Sequence, residues 1–133
     1  MLFRSITLFY GLTGDVPVVG NWVGGAVRAD QIGVFRCPAV GVCNWIVDSN
    51  GNGAYDATDA VYSFGLPGDQ PVVGDWNQGG RKRIGVFRGG TWILDSNGNN
   101  AFDLTDLTVF FGLPNDIGVV GKWPVGGTLG PVM

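Results

Sequence analysis

Three copies of one segment recur along this chain of 133 residues and constrain its fold more than any other feature. They read YGLTGDVPVVGNW at 10–22, FGLPGDQPVVGDW at 64–76 and FGLPNDIGVVGKW at 111–123. The copies align without gaps, and their first residues, Tyr10, Phe64 and Phe111, lie 54 and 47 positions apart. A repeat of about this length, made of several short strands, predicts stacked four-stranded units such as propeller blades.

Two complete continuations of the repeat supply the remaining strands. The second copy continues as KRIGVFR and then TWILDSNGNNAFDLTDLTVF. We predict strands A to D at PVVGDW (71–76), RIGVFR (83–88), TWILD (91–95) and DLTVFFG (106–112), because β-branched and aromatic residues dominate them. The last segment has a short helix as its alternative. Gly112 and Pro114 would end that helix within about two turns, and its Thr, Val and Phe residues favour a strand.

The order of strands along the chain is D-ABCD-ABCD-AB. MLFRSITLFYG at the start aligns with the D strands, and TLGPVM at the end aligns loosely with RIGVFR. We therefore expect a single repeat domain over 1–133, with an orphan D strand at 1–10, unit 1 at 11–64, unit 2 at 65–111 and a partial unit 3 at 112–133. The predicted fold class is all-β. Its four-stranded antiparallel, blade-like units would form an incomplete propeller-like or open repeat array.

The two cysteines lie in a five-residue insertion at a predicted hairpin tip. The first copy reads FRCPAVGVCNW where the second reads FRGGTW. Two strands that enter one loop bring such residues close together, so we predict a Cys37–Cys43 disulfide, with two free thiols as the alternative. A disulfide would indicate an oxidising compartment, and we expect an extracellular or cell-surface location.

Composition argues against several classes of function. The net charge is −3 without a basic cluster, which argues against a nucleic-acid partner. No apolar run reaches the roughly 18 residues of a membrane span. The chain has no histidine, so the usual nucleophile–base pairs are missing and we expect no enzyme. Asp15, Asp69 and Asp116 recur at one place in three copies, which fits a turn better than one active site.

The segment FGLPGDQPVVGDWNQGGRKRIGVFR resembles the FG-GAP and VCBS repeats of bacterial extracellular proteins, over most of the chain. The resemblance implies integrin-like propeller blades and a calcium-binding loop after the GDW step. That loop is degenerate here. Asp75 and Asn77 remain, Gly79 and Arg83 hold the next two ligand places, and the other copies retain still fewer oxygens. Hard cations need several oxygen ligands, so we expect this family site to be lost.

A second cluster of oxygen donors lies elsewhere in the repeat, in DSNGNGAYDATD (48–59) and its variant DSNGNNAFDLTD (95–106). Their spacing is that of a twelve-residue calcium loop. The predicted ligands are Asp48, Asn50, Asn52, the Ala54 carbonyl, Asp56 and Asp59, and in the second loop Asp95, Asn97, Asn99, the Ala101 carbonyl, Asp103 and Asp106. Three charged ligands in each loop predict a structural Ca²⁺ of modest affinity.

Other interpretations of these loops remain open. Asn-Gly turns form without metal, and Asp can satisfy loop amides by itself. Duplicated loops also resemble dockerin modules, but a long helix follows each loop there and a short β-rich run follows here. No long amphipathic helix is predicted, so a sensor is disfavoured and a structural clip favoured.

These features together favour a secreted, non-enzymatic structural subunit. Its partners would be copies of itself, joined head to tail into a fibre or surface appendage when the D strand of one chain completes the unfinished unit of the next. The alternative is an adhesin or carbohydrate-binding fragment of a larger calcium-binding propeller. In that case some of the five tryptophans would stack on glycans, whereas periodic tryptophans in β units more often pack between units.

Overall fold

The computed structural model describes residues 5–23 and 29–123, and all of its regular structure is β. Eight strands are formed. They are β1 (Val16–Gly20), β2 (Gln31–Arg36), β3 (Asn44–Val47), β4 (Ala60–Ser63), β5 (Gln70–Gly74), β6 (Arg83–Arg88), β7 (Thr91–Leu94) and β8 (Leu107–Phe110). Each is only four to six residues long, because glycines, Asn-Gly turns and Asp-containing turns separate the apolar runs.

The strands form two antiparallel four-stranded sheets, in the orders β1-β2-β3-β4 and β5-β6-β7-β8. Both are simple meanders with the same register. Phe35 on β2 faces Val16 on β1, and Phe87 on β6 faces Gln70 on β5. The prediction of an all-β chain built from four-stranded antiparallel units is confirmed. The D segment of the second unit pairs with β7 as strand β8, so the short helix is excluded there.

Strand A is shorter than predicted at its C-terminal end, because a tryptophan folds back across it. We predicted a strand over 71–76, but β5 ends at Gly74. The Trp76 ring lies on Gly74 so closely that a Cβ there would sit 2.4 Å from the ring. The Trp76 Nε1–H donates to the Ile84 carbonyl at 2.9 Å. The Gly-x-Trp pattern is therefore a packing motif, and it ends strand A in the first two copies.

The two sheets share one hydrophobic core. It contains Val18, Trp22, Phe35, Cys43, Trp45, Val47 and Phe64 from the first unit together with Ile84 and Val86 from β6 of the second. Strands β1 and β5 lie in contact across the interface. The Arg81 side chain donates to the Trp22 carbonyl at 2.8 Å and adds a polar contact between the units. The stacking of the second sheet thus completes the core of the first.

The equivalent face of the second sheet is exposed in the described part of the chain. Phe64 is 1% exposed, whereas its repeat equivalent Phe111 is 78% exposed. Trp45 is 0% exposed, and its equivalent Trp92 is half-buried. All four residues of β8 are exposed. The difference arises because a second sheet covers the first, and no described element covers the second.

The predicted orphan D strand and partial third unit fall partly outside the described residues, at 1–4 and 124–133. Within the described part, no strand is assigned over 5–10 or 111–123. Strand assignment needs a paired neighbour, and none of the described strands pairs with residues 5–10.

The predicted disulfide is confirmed. Cys37 and Cys43 are bonded in the connection between β2 and β3, with their Cα atoms 4.2 Å apart. Cys43 also belongs to the hydrophobic core and pairs with the D-strand end, since its N–H donates to the Gly65 carbonyl at 2.9 Å. The described residues include no helix with the length and hydropathy needed to cross a membrane.

The contrast between the two repeat-equivalent phenylalanines predicts that one substitution destabilises the protein strongly at Phe64 and very little at Phe111. We expect Phe64→Ala to lower the free energy of unfolding by about 3–5 kcal/mol, because it empties a buried site. Phe111→Ala should change it by no more than about 0.5 kcal/mol, because that ring is exposed in the single chain. Urea unfolding at a dilution where the chain is monomeric measures both. Equal losses for the two variants would contradict the described burial.

Candidate cation loops and end faces

Both predicted cation loops connect strand C to strand D within a sheet. Residues 48–59 join β3 to β4, and residues 95–106 join β7 to β8. The first residue of each loop is anchored to strand B, since the Asp48 N–H donates to the Ile32 carbonyl at 2.9 Å and that of Asp95 to the Ile84 carbonyl at 3.0 Å. Asp48 and Asp95 are both buried. The sheets therefore fix the two ends of each loop close together.

The first aspartate of each loop is the centre around which the chain turns. The Asp48 carboxylate accepts hydrogen bonds from the N–H groups of Gly51, Asn52 and Gly53 at 2.8–3.2 Å. In the second loop Asn100 replaces the glycine and adopts a left-handed φ of 63°, as against 78° for Gly53. Asn tolerates that backbone better than most residues, so both loops have the same curl.

The aspartate at the ninth position of each loop, Asp56 or Asp103, accepts hydrogen bonds from several other side chains of that loop. The Asp56 Oδ2 atom accepts from Asn50 Nδ2 at 2.9 Å and from Asn52 Nδ2 at 2.7 Å. The Thr58 hydroxyl and N–H donate to Oδ1. Asp103 repeats every one of these contacts with Asn97, Asn99 and Thr105. The hydrogen bonds from threonine, and then those from asparagine, hold the pKa of Asp56 and Asp103 well below its ordinary value.

Sequence reasoning missed the two threonines. Thr58 and Thr105 occupy the eleventh place of their loops, where calcium-loop spacing assigns no ligand. Their recurrence as D-A-T-D and D-L-T-D was the available signal.

The last aspartate of each loop carries an orphaned oxygen. Asp59 Oδ2 accepts from the Asp56 N–H at 3.1 Å, and Asp106 Oδ2 accepts from the Asp103 N–H at 3.0 Å. The Oδ1 atoms of both are buried without a hydrogen-bond partner. Burial, with Asp103 and Asp95 nearby, raises the pKa of Asp106. A buried carboxylate oxygen without a partner is costly unless a proton, water or cation satisfies it.

The N-terminal segment also reaches the first loop. The Tyr10 hydroxyl donates to Asp59 Oδ2 at 3.2 Å. Burial and the neighbouring Asp59 raise the pKa of Tyr10, because both disfavour the phenolate.

The predicted ligands thus share a loop, but hydrogen bonds already engage most of their oxygens. No group of three or more His, Cys, Asp or Glu side chains is gathered as a metal site among residues 5–23 and 29–123. Asn50 and Asn52 turn Nδ2 toward Asp56, while their Oδ1 atoms accept the N–H groups of Asn52 and Ala54. A cation between these side chains would require both amides to rotate by about half a turn. The buried Asp59 oxygen without a partner is compatible with a bound cation. The Asn50 and Asn52 amides, as oriented here, would have to rotate before their oxygens could bind it.

The loop after the GDW step, where the resemblance implies a degenerate cation site, is closed by hydrogen bonds as well. The Asp75 carboxylate accepts from the N–H groups of Gly79 and Gly80 at 2.8 and 2.7 Å. Arg83, where the resemblance places a ligand, donates to the Ser96 carbonyl at 2.8 Å. The positive charge of its guanidinium opposes a cation at this position.

The recurring aspartate of the FGLP turn has the structural role that its repetition indicated. Asp15, Asp69 and Asp116 each accept the N–H of the residue three positions earlier at 2.8 Å. An arginine at the end of strand B donates from Nε and Nη2 to the two carboxylate oxygens of the first two, Arg36 to Asp15 and Arg88 to Asp69, at 2.7–2.8 Å. The Arg36 guanidinium lowers the pKa of Asp15.

The two ends of the stack each present an apolar hollow. At the N-terminal end, Tyr10, Leu12, Val34, Ile46, Tyr55 and Val61 line a cavity of about 360 Å³. Tyr10 and Tyr55 meet edge to face at 6.4 Å, as their equivalents Phe64 and Phe102 do at 6.5 Å between the sheets. At the C-terminal end, a hollow of about 600 Å³ is lined by Trp92, Val109, Phe111, Asp116, Ile117 and Trp123.

Comparisons with family models, with curated proteins and with solved structures yield no match for this chain. The resemblance to FG-GAP and VCBS repeats therefore stays a prediction based on the repeated motifs.

The hydroxyl of Thr58 should control the titration of Asp56. We expect Thr58→Val to raise the pKa of Asp56 toward its ordinary value, because the variant removes the first of the hydrogen bonds that lower it. A lowered folded-state pKa gives stability that is present above the unfolded pKa of about 4 and lost as pH falls through the folded value. The variant should therefore lose part of this stability above about pH 4.

Carboxyl NMR titration measures this shift, and the second loop supplies the control within the same molecule. Asp103 keeps its own threonine, so its titration should be unchanged in Thr58→Val. An unaltered titration of Asp56, or equal shifts at Asp56 and Asp103, would contradict the described network.

Proposed function

We propose that this chain is a non-enzymatic structural subunit that assembles head to tail with copies of itself into a fibre or surface appendage. One observation carries the proposal: the side chain that is buried between the two sheets at Phe64 is exposed at its repeat equivalent, Phe111. In this arrangement the units stack as an open, propeller-like array, and another copy of the chain covers the face that carries Phe111.

The extent of apolar surface at both ends supports association. Large apolar side chains that are at least two-thirds exposed include Ile6, Phe9 and Leu12 near one end and Phe110, Phe111, Leu113, Ile117, Val119 and Trp123 near the other. Large exposed apolar side chains that are grouped in this way mark interaction sites in soluble proteins. The two ends differ from each other, so their contact is heterologous and builds a ring or an open filament.

Strand addition is the proposed form of the contact. Residues 6–9 align with the D strand Ala60–Ser63, yet carry no assigned strand in the single chain. Their backbone can add as a strand at the C-terminal end face of a neighbouring copy, where main-chain hydrogen bonds would supply affinity and alternate side chains would enter the hollow. The confirmed disulfide supports an oxidising, extracellular setting for such a polymer.

Calcium is the cation proposed to stabilise the two acidic loops. The orphaned Oδ1 of Asp59 supports it, together with Asp48 and Asp56 in the same loop. When bound, a hard cation would neutralise these carboxylates and tie the turn between strands C and D. The loop would hold Asp48 and Asp59 at the ends of the two strands that it connects, and Asn50 and Asn52 would rotate so that their Oδ1 atoms face the cation.

A second candidate is an adhesin or carbohydrate-binding module within a larger propeller. The exposed Trp123 and the half-buried Trp92 favour it, because both line the C-terminal hollow beside Asp116. An aromatic hollow with a carboxylate at its edge suits a sugar ring. Sugar-dependent quenching of tryptophan fluorescence by the monomer would favour this candidate over the polymer.

Sedimentation of the purified chain with matched variants tests the assembly. We expect polydisperse assemblies that grow with protein concentration for the wild type, and monomers for Phe111→Asp, because a charge on the end face opposes burial. Val40→Asp is the control, since Val40 is 86% exposed in the disulfide loop and lines neither end hollow. It should assemble like the wild type. A wild type that remains monomeric at high concentration would contradict the proposed function.

Calcium binding is tested separately, on the dilute monomer. We expect calcium to raise the unfolding temperature, with a stabilisation of about 2.7 kcal/mol at a hundredfold excess over Kd. Asp59→Asn should reduce that shift, whereas Asp75→Asn should leave it intact, because Asp75 belongs to the degenerate loop. An unfolding temperature that is the same in calcium and in chelator would rule out the clip.

A further inference from the structure

The side chain that supports each acidic loop from strand B differs between the two units. Gln31 begins β2 and Arg83 begins β6, at the same place of the repeat. Gln31 Nε2 donates to the Ser49 carbonyl at 3.2 Å, and Arg83 Nη1 donates to the Ser96 carbonyl at 2.8 Å. Ser49 and Ser96 are the second residues of their loops. Equivalent contacts therefore place a neutral amide against the first loop and a guanidinium against the second.

Both side chains also lie against the turn that follows. A Cβ on Gly51 would sit 3.1 Å from Gln31 Nε2, and one on Gly98 would sit 2.8 Å from Arg83 Cζ. Gly98 donates its N–H to the Asp95 carboxylate at 3.0 Å, so the guanidinium contacts the turn that surrounds this aspartate. No ion pair to Arg83 is formed within the described ranges 5–23 and 29–123. Its positive charge therefore acts on any cation that enters the second loop.

The preceding residue of each strand extends this contrast in charge. Asp30 precedes Gln31, Lys82 precedes Arg83, and both preceding residues are exposed. The pair in the first unit carries one negative charge, and the pair in the second carries two positive charges. These two pairs therefore favour a cation at the first loop over one at the second, although salt screens the exposed charges.

The last aspartate of the first loop is the more deeply buried of the two. Asp59 is 8% exposed, and its Oδ1 atom has no hydrogen-bond partner. Its Oδ2 atom accepts the Asp56 N–H at 3.1 Å, so the carboxylate is turned into its own loop. Asp106 has the same orphaned atom but is partly exposed as a residue. The first loop thus offers the stronger unmet demand for a positive charge.

Tyr10 fixes the orientation of Asp59, and the second loop has no counterpart to this contact. The Tyr10 hydroxyl donates to Asp59 Oδ2 at 3.2 Å. Phe64 occupies the place of Tyr10 in the second copy and has no hydroxyl to donate. A hydrogen bond from an outer residue to a ligating carboxylate holds that carboxylate in position and strengthens metal binding. Tyr10 is therefore a positioning residue for the first loop.

We propose that the first acidic loop, residues 48–59, is the tight site for a hard divalent cation, and that the second, residues 95–106, binds it at least about tenfold more weakly. The position shared by Gln31 and Arg83 determines this difference, because only Arg83 places a positive charge against its loop. Tyr10 adds to it by holding Asp59. The inference rests on the calcium binding proposed above and ranks the two loops.

A calcium titration followed by NMR on the dilute monomer tests the ranking. The amide signals of Gly51 and Gly53 report on the first loop, and those of Gly98 and Asn100 report on the second. In the wild type we expect the first pair to respond at about tenfold lower calcium concentration than the second.

Exchanging the two supporting residues tests the cause. Arg83→Gln should lower the calcium Kd of the second loop by about tenfold, because the positive charge is removed while an amide can still donate to Ser96. Gln31→Arg should raise the Kd of the first loop by about tenfold. Tyr10→Phe should also raise the Kd of the first loop, by roughly tenfold, and leave that of the second unchanged.

Two controls separate charge from lost contacts. Gln31→Met loses the same hydrogen bonds as Gln31→Arg without gaining a charge, so it should weaken calcium binding less. Lys122→Gln changes the net charge as Arg83→Gln does, at an exposed residue of the third copy, and should leave both Kd values within about twofold of the wild type. Thermal unfolding in chelator establishes that each variant is folded. If Gln31→Arg does not fold, Arg83→Gln decides the question, since it introduces no charge.

The possible failures are distinguishable. If neither pair of signals responds at about 10 mM calcium, above the Kd range of extracellular modules, the proposed calcium binding is overturned and the ranking with it. Equal Kd values in the wild type, or a tighter second loop, overturn the ranking alone. A Kd of the second loop that is unchanged in Arg83→Gln overturns the role of the guanidinium, as does equal weakening by Gln31→Met and Gln31→Arg.

Discussion

The stacking of one sheet on the next is the contact on which this structure depends. Each sheet has only four short strands, too few to enclose a core by itself. The first sheet becomes a closed core only because Ile84 and Val86 from the second sheet pack over Trp45 and Phe64. The second sheet depends on a neighbour for burial in the same way, and Phe111 is exposed because no described element covers that sheet.

The strongest sequence motifs serve this stacking rather than chemistry. Gly-x-Trp lets an indole fold over strand A and bond to strand B, and the FGLP turn is closed by an aspartate that strand B clamps with arginine. The acidic loops bond their own amides to their own carboxylates. Most polar residues that recur in every unit therefore have a local structural partner.

The repeat made most of the fold predictable from sequence. Two copies of four apolar runs fixed eight strands and their pairing, and the cysteine insertion located the disulfide at a hairpin tip. The end of strand A at Gly74 was missed, because it depends on a ring packing over a glycine rather than on β propensity. Thr58 and Thr105 were missed for a related reason. The spacing of a calcium loop identifies the side chains that could bind a cation, and it says nothing of hydrogen bonds between neighbouring side chains.

Residue-level footprinting of the end faces as the chain assembles tests the stacking contact most directly. Hydroxyl-radical oxidation of Phe9, Phe111 and Trp123 would be compared between dilute and concentrated protein, with Phe102, 61% exposed in the second acidic loop, as the reference. If a second copy covers the end of the array as the second sheet covers the first, the three end residues become protected on concentration and Phe102 does not. Oxidation of Phe111 and Trp123 that is unchanged in assembled material would contradict the stacking contact.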